Sequence, residues 1–465
     1  MRLRHAYPIA LLSLAESASA LGAQSLDGVW KTQGYGYVIR IAGDTLSGHE
    51  VTRLSCLPSF TATRDTTRDP AREATFQTPD GNVFFVRSGG ERDHRRLHFD
   101  GAASDMRIDR IPSMPSVCST PTADTPLVNF DVFATTWADH YILFDQKHVD
   151  WAAVVASNRA KITASTTPTE LFDVLEGMIK PFDDAHTFIG APSLKRTFST
   201  LRPSTQRVFT AFGGREQFRK VGMPKLLGII DQHYLKGPVR SWCNDQVQYG
   251  HLNDSTGYLR ILSFNGFAKE PLFIDQLKAL QVALDTVFSD AKLRSLVIDV
   301  RINFGGADPL GLEIASRLAT APYLAYTKEA RADPNDRNRW TPGDQNSVRR
   351  SSRPGFRGPV VELTGGLTIS AGETFTQALM GRMPHITRIG ENTQGVFSDV
   401  LVRRLPNGWR FGLPNEVFRA PDGKTFDGPG IPPDITVPVF ADADVAANRD
   451  PGIEKALEVL ASMRH

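Results

Sequence analysis

The stretch SLVIDVRINFGGADPLG, residues 295–311, runs from a continuous apolar segment through two glycines into a segment of helical character. An apolar run without polar alternation suits a strand buried on both faces, as in a parallel sheet. Asp299, Arg301 and Asn303 stand at the end of that run. The glycines after them can turn backbone N–H groups toward a phosphate or an oxyanion. The stretch is not GxGxxG and no Walker lysine follows, so it carries no nucleotide fingerprint. A tight turn at the end of a strand accounts for the same residues.

Its surroundings alternate strand and helix. GYLRILSF, residues 257–264, reads as a strand, and PLFIDQLKALQVALDTVF, residues 271–288, as an amphipathic helix with Phe273, Leu277, Leu280, Leu284 and Val287 on one face. A second helix is expected around 310–319, then the strand PVVELT, then a helix beginning after Ser370. This βαβ order predicts an α/β core over residues 250–440 built on a parallel or mixed sheet. VRRLPNGWRFGLP, residues 402–414, has an Asn-Gly turn between strand-like runs and predicts a hairpin.

Upstream, short alternating or aromatic-rich runs separated by Gly, Asp and Asn predict a small β-rich domain over residues 24–115. A Pro/Ser/Thr-rich linker, 112–126, follows. Helical patterns fill residues 127–200, one of them opened by Thr167 as cap and Pro168 in the first turn. The span from about 191 to 255 has no clear period. Residues 1–23 pair two early arginines with a short apolar run and small residues, the pattern of a signal peptide, so a periplasmic or secreted product is expected. No later apolar run is long enough to span a bilayer.

With 465 residues and 41% hydrophobic content the chain can bury sizeable cores. Its 53 basic and 51 acidic residues leave a net charge of +2, which gives no footprint for nucleic acid or an acidic partner. Cys56, Cys118 and Cys243 show no CxxC spacing. Cys56 and Cys118 could close a disulfide in an oxidising compartment, or all three could be buried thiols. His94 and His98 read as part of a charged strand rather than a metal pair, and nothing calls for a metal or an organic cofactor.

Three further stretches carry candidate chemistry. In GGLTISAGETF, residues 365–375, Ser370 stands between an apolar run and a helix, where free N–H groups can hold an oxyanion. Ser370 with Glu373 also has the spacing of a capping box, and the GxSxG elbow is not matched. In PFDDAHTFIG, residues 181–190, His186 is of the type that serves as a general base, or is a polar bystander. Asp183 and Asp184 beside it can simply cap the turn. In APDGKTFDGPGIPPDITVP, residues 420–438, Asp427 can orient a histidine or belong to a surface turn.

Taken in order, DVRINFGG, TISAGE, GENTQG and DGKTFDGPGIPPDI resemble the motifs of serine peptidase family S41, the tail-specific or C-terminal processing peptidases. The resemblance covers about residues 127–440 and implies a ClpP/crotonase-like α/β core acting on polypeptides, with Ser370 as nucleophile. Val396 stands where one branch has a lysine base, so the resemblance points to the tricorn-like branch, with His186 as base. Ala185 replaces that branch's extra serine. The third residue implied is Asp427, with Glu416 of LPNEVF as the alternative, and the implied oxyanion donors are the N–H groups of Gly305 or Gly306 with Ala371. No glycine-rich loop of a PDZ domain is evident between His186 and Gly257. Relatives that only bind ligands, and an esterase using the same triad, are the alternatives to an exported endopeptidase.

Overall fold

The computed structural model describes residues 26–69, 73–91, 93–270 and 272–463; the expected signal peptide lies outside them. The β-rich domain is a closed barrel of eight antiparallel strands in chain order, from Gly28–Thr32 to Met106–Ile111, and the first strand pairs with the last. Closure leaves no free sheet edge. Alternating residues fill the interior, Trp30, Ile39, Phe76, Leu97 and Ile108 among them. Cys56 and Cys118 form a disulfide between the strand Cys56–Arg64 and the turn Ser116–Ser119, while Cys243 is a free buried thiol.

Helices Pro126–His140, Trp151–Arg159 and Pro168–Ile179 follow. The last opens with the expected cap: Glu170 N–H donates to Thr167 Oγ1, and the Glu170 carboxylate accepts the Thr167 N–H. Between the helices lies an aromatic core in which Trp137 stacks on Phe182 with ring centroids 5.0 Å apart. The core is shared with a four-stranded sheet in the order Arg196–Ser199, Phe188–Ala191, Arg410–Pro414, Val400–Arg404. The last two strands are the predicted hairpin. The second of them, Arg410–Pro414, clamps the strand that begins just after His186.

The main sheet has seven strands in the order Lys236–Trp242, Val247–His251, Thr256–Ile261, Ser295–Asp299, Val360–Thr364, Thr387–Gly390, Ile435–Thr436. The five from Thr256–Ile261 onward are parallel, and the first two add an antiparallel edge. That edge comes from the span without a clear period, which also holds helices Pro203–Ala211 and Met223–His233. Ser295–Asp299 is buried at every position, as its apolar run requires.

Just past this strand, Arg301 is buried between two carboxylates. Its Nη1 and Nη2 donate to the two oxygens of Asp450 at 2.8 Å each, and Nη2 also donates to Asp299 Oδ2 at 2.7 Å. Tyr258 donates its hydroxyl to the same Asp299 oxygen at 2.7 Å. The fork ties the central strand to the start of the C-terminal helix Pro451–Ser462. Arg301→Met would leave two buried carboxylates without their cation, and should cost about 3–5 kcal/mol. Guanidinium unfolding measures this; a loss below about 1 kcal/mol would remove the fork from the interactions that hold the core.

Candidate active site

Ser370 sits at the corner between the short strand Leu367–Thr368 and the helix Ala371–Met380. Its backbone has φ 56° and ψ −120°. A positive φ on a residue with a Cβ costs roughly 1–3 kcal/mol and persists only where the surroundings enforce it. The corner has the form of a capping box. Ser370 N–H donates to Glu373 Oε2 at 3.3 Å, but the Glu373 N–H reaches the Ser370 carbonyl at 2.7 Å. Backbone therefore supplies a short capping bond, and the serine hydroxyl is not needed to close the turn. Glu373 is fully buried and also accepts the N–H groups of Gly395 and Val396. Burial pushes its carboxyl up to about 8.

Enforcement comes from the glycine turn. The two-residue strands Ile302–Asn303 and Leu367–Thr368 pair in parallel, and Ile369 N–H donates to the Asn303 carbonyl at 3.0 Å. The Asn303 side chain donates to the Ile261 carbonyl and accepts the Gly305 N–H, each at 2.9 Å. A Cβ on Gly305, whose φ is +77°, would lie 2.7 Å from Ser370 Cβ and 2.9 Å from the Ile369 carbonyl. Gly305 is thus a close-approach residue, and because its N–H is taken by Asn303 it is not an oxyanion donor. Gly306 and Ala371 are different: among the described residues neither backbone N–H has an intramolecular acceptor. These two remain as the pair of free donors beside Ser370.

His186 is buried, with its N–H donating to Asp184 Oδ1 at 2.8 Å. The Ser398 carbonyl and the carboxylates of Asp184 and Asp399 are the polar groups acting on its ring, while Nδ1 has no hydrogen-bond partner among the described residues. Burial holds the imidazole below its ordinary value, and the two carboxylates only partly offset this. The ring is therefore neutral near pH 7 and able to accept a proton. No hydrogen bond joins His186 to Ser370 among the described residues.

The third-residue expectation finds no such geometry. The Asp427 carboxylate accepts the Phe397 N–H at 3.0 Å and the Thr425 hydroxyl at 3.1 Å, and no bond joins it to His186. Burial raises it to about 7. Glu416 is directed elsewhere too: it accepts the Tyr35 hydroxyl at 2.6 Å and the Asp399 N–H at 3.1 Å, and pairs with Lys328 at 3.2 Å. The carboxylates near the imidazole are Asp184, which the sequence offered only as a turn cap, and Asp399, which it did not offer. Burial alone would raise Asp399, but the Lys328 ammonium, in direct contact, holds it below the usual carboxylate range. Lys328 in turn is kept protonated by its acidic neighbours, despite burial, so it is an ion-pair partner rather than a base. Val396, at the lysine position of the other branch, is buried.

Residues 255–437 match the model of peptidase family S41, and residues 123–180 match the Tricorn protease C1 domain. Residues 255–437 are a peptidase region of family S41. A search of curated proteins finds no match. Among solved structures, a protein from Parabacteroides merdae is similar over 73% of this chain and 97% of its own, with 23% identity and a TM-score of 0.60. Mature CPAF, solved in complex with lactacystin, is similar over 72% of this chain and 97% of its own, with 13% identity and a TM-score of 0.50. At those identities the likeness is one of fold. The S41 match contains Ser370, the glycine turn, Asp399 and Asp427, and leaves out His186 and the barrel.

Gly305→Ala should leave the sheet intact but displace the serine, lowering kcat/KM by about 10²-fold; unchanged turnover would refute the close-approach role. The acid limb of the pH–rate profile should fall below the pH near 6.5 at which a free histidine titrates. Asp399→Asn removes a charge that raises the imidazole pKa, so it should move that limb further down in pH and lower kcat. A shift upward, or none, would separate Asp399 from His186.

Proposed function

We propose that the protein is an exported serine-type endopeptidase whose chemistry passes through an acyl-enzyme on Ser370. The observation that carries this reading is the strained serine held against Gly305, with two uncommitted backbone donors, Gly306 and Ala371, beside it. In this scheme His186 takes the proton from Ser370 Oγ as the oxygen attacks the peptide carbonyl. The Gly306 and Ala371 N–H groups bind the oxyanion that forms. Protonated His186 then gives its proton to the leaving amine, and water, activated by the same imidazole, releases the acyl group. Asp184 and Asp399 stabilise the transient imidazolium. Asp427 acts at a distance, by fixing the Phe397 backbone and with it the loop that carries Ser398 and Asp399.

Export is supported by the leader pattern and by the Cys56–Cys118 disulfide, a bond that persists in oxidising compartments. Ser370→Ala should abolish labelling by a fluorophosphonate and lower casein hydrolysis by at least about 10³-fold. Labelling that survives the substitution would place the nucleophile elsewhere.

A further inference from the structure

The barrel lies outside both family matches, yet it borders the glycine turn. A cleft of about 870 Å³ runs between it and the peptidase core. Its floor includes Gly306 and Ala307, one side is Tyr37, Phe60, Phe84 and Phe99 of the barrel, and the other includes residues 399–402 of the hairpin. The volume lies in the range of sites that hold a ligand of several residues' size.

Two features of the cleft point to its occupant. Phe99, 41% exposed, and Val402, 39% exposed, are large apolar side chains left in solvent, and both line this one cleft. Behind Phe99 the barrel wall is built of packed rings: Phe60 stacks on Phe84 at 4.6 Å between centroids, and Phe84 meets Phe99 edge-on at 5.5 Å. The second feature is backbone. Val400–Arg404 is the edge strand of its sheet, paired on one side alone, by Arg410–Pro414. An edge strand is a template for an extended chain, with main-chain bonds for affinity and alternate side chains for specificity.

The wall is fixed in place. Arg404 N–H donates to Glu50 of the barrel at 2.8 Å and Arg403 Nη1 donates to the Val402 carbonyl at 3.0 Å, so the edge left for a second chain is 400–402 apart from that carbonyl. Phe273 N–H donates to Asp100 at 2.9 Å, and Arg107 pairs with Asp344 at 2.9 Å. The cleft's charged end is already matched internally, since Lys328 is held by Asp399 and Glu416. The same cleft holds this apolar surface, this strand edge and Gly306, with Lys269 and Glu270 as further charged residues of its lining.

We propose that the barrel forms one wall of the substrate cleft, where an extended polypeptide lies along the 400–402 edge and places a large apolar side chain against Phe99 and Val402. This inference rests on the peptidase reading and names the substrate feature that the cleft selects.

The test reads binding without chemistry, using the full chain carrying Ser370→Ala and two short fluorescein-labelled peptides that differ only in having Phe or Ala at one central position. Fluorescence anisotropy should give about ten-fold tighter binding of the Phe peptide. In the same background, Phe99→Ser with Val402→Ser should bring that ratio close to one, whereas Phe99→Trp should keep it, a control against loss of the barrel's fold. Equal affinity for the two peptides in the starting protein, or a ratio unchanged by the double substitution, would overturn the proposal. Because no turnover is needed, failure here is distinct from failure of fluorophosphonate labelling, which would instead sink the Ser370 mechanism.

Discussion

The candidate site depends on the side-chain amide of Asn303. It donates to the Ile261 carbonyl on the neighbouring strand and accepts the Gly305 N–H, so one buried group fixes both the end of the sheet and the course of the turn that follows. Its backbone carbonyl holds Ile369, the residue before the strained serine. A buried amide left without these partners costs more than the bonds contribute on balance, which is why the arrangement tolerates little change. Gly372 records the same crowding from the other side, since a Cβ there would come within 2.8 Å of Asn303 Oδ1. The unfavourable backbone of Ser370 persists because these contacts leave the corner no other shape.

A second layer of order is electrostatic. Lys328 and Glu416 stand on adjacent antiparallel strands, Tyr323–Asp333 and Glu416–Arg419, and Asp399 reaches them from the loop before the hairpin. Glu416 is pushed up by burial, Asp399 is held down by the ammonium, and Tyr35 of the barrel closes the cluster with its hydroxyl. Buried charges of this kind are weak evidence for stability, but removing one partner is costly. They join barrel, hairpin and core at a single point that borders the substrate cleft.

Local patterns in the sequence carried most of the core. The apolar run 295–300, the glycine pair and the helix after Ser370 are contiguous, so periodicity and turn chemistry suffice to place them. The hairpin and the Thr167 cap were legible for the same reason. Barrel closure was not, because pairing Gly28–Thr32 with Met106–Ile111 is a long-range event that short alternating runs do not specify. Nor was Asp399, which reaches His186 only because the hairpin strand Arg410–Pro414 pairs with Phe188–Ala191. The direction of Asp427 was not legible for a related reason: a carboxylate before a Gly/Pro loop can face either way, and here it turns to the Phe397 N–H. The edge strands within 191–255 escaped notice because they are short and of mixed polarity.

The pairing of Phe188–Ala191 with Arg410–Pro414 has a consequence for how the protein comes into being. The segment that carries His186 is made early in synthesis, and the strand that clamps it is made late. Until the hairpin has emerged and docked, the imidazole has no fixed place, and the loop bearing Ser398 and Asp399 does not yet exist beside it. A chain that stops short of the hairpin lacks Trp409, Phe411 and Leu413 of the aromatic core as well as the strand that pairs with Phe188–Ala191. In a protein meant to cut other chains, the order of synthesis thus delays the chemistry until folding is nearly complete.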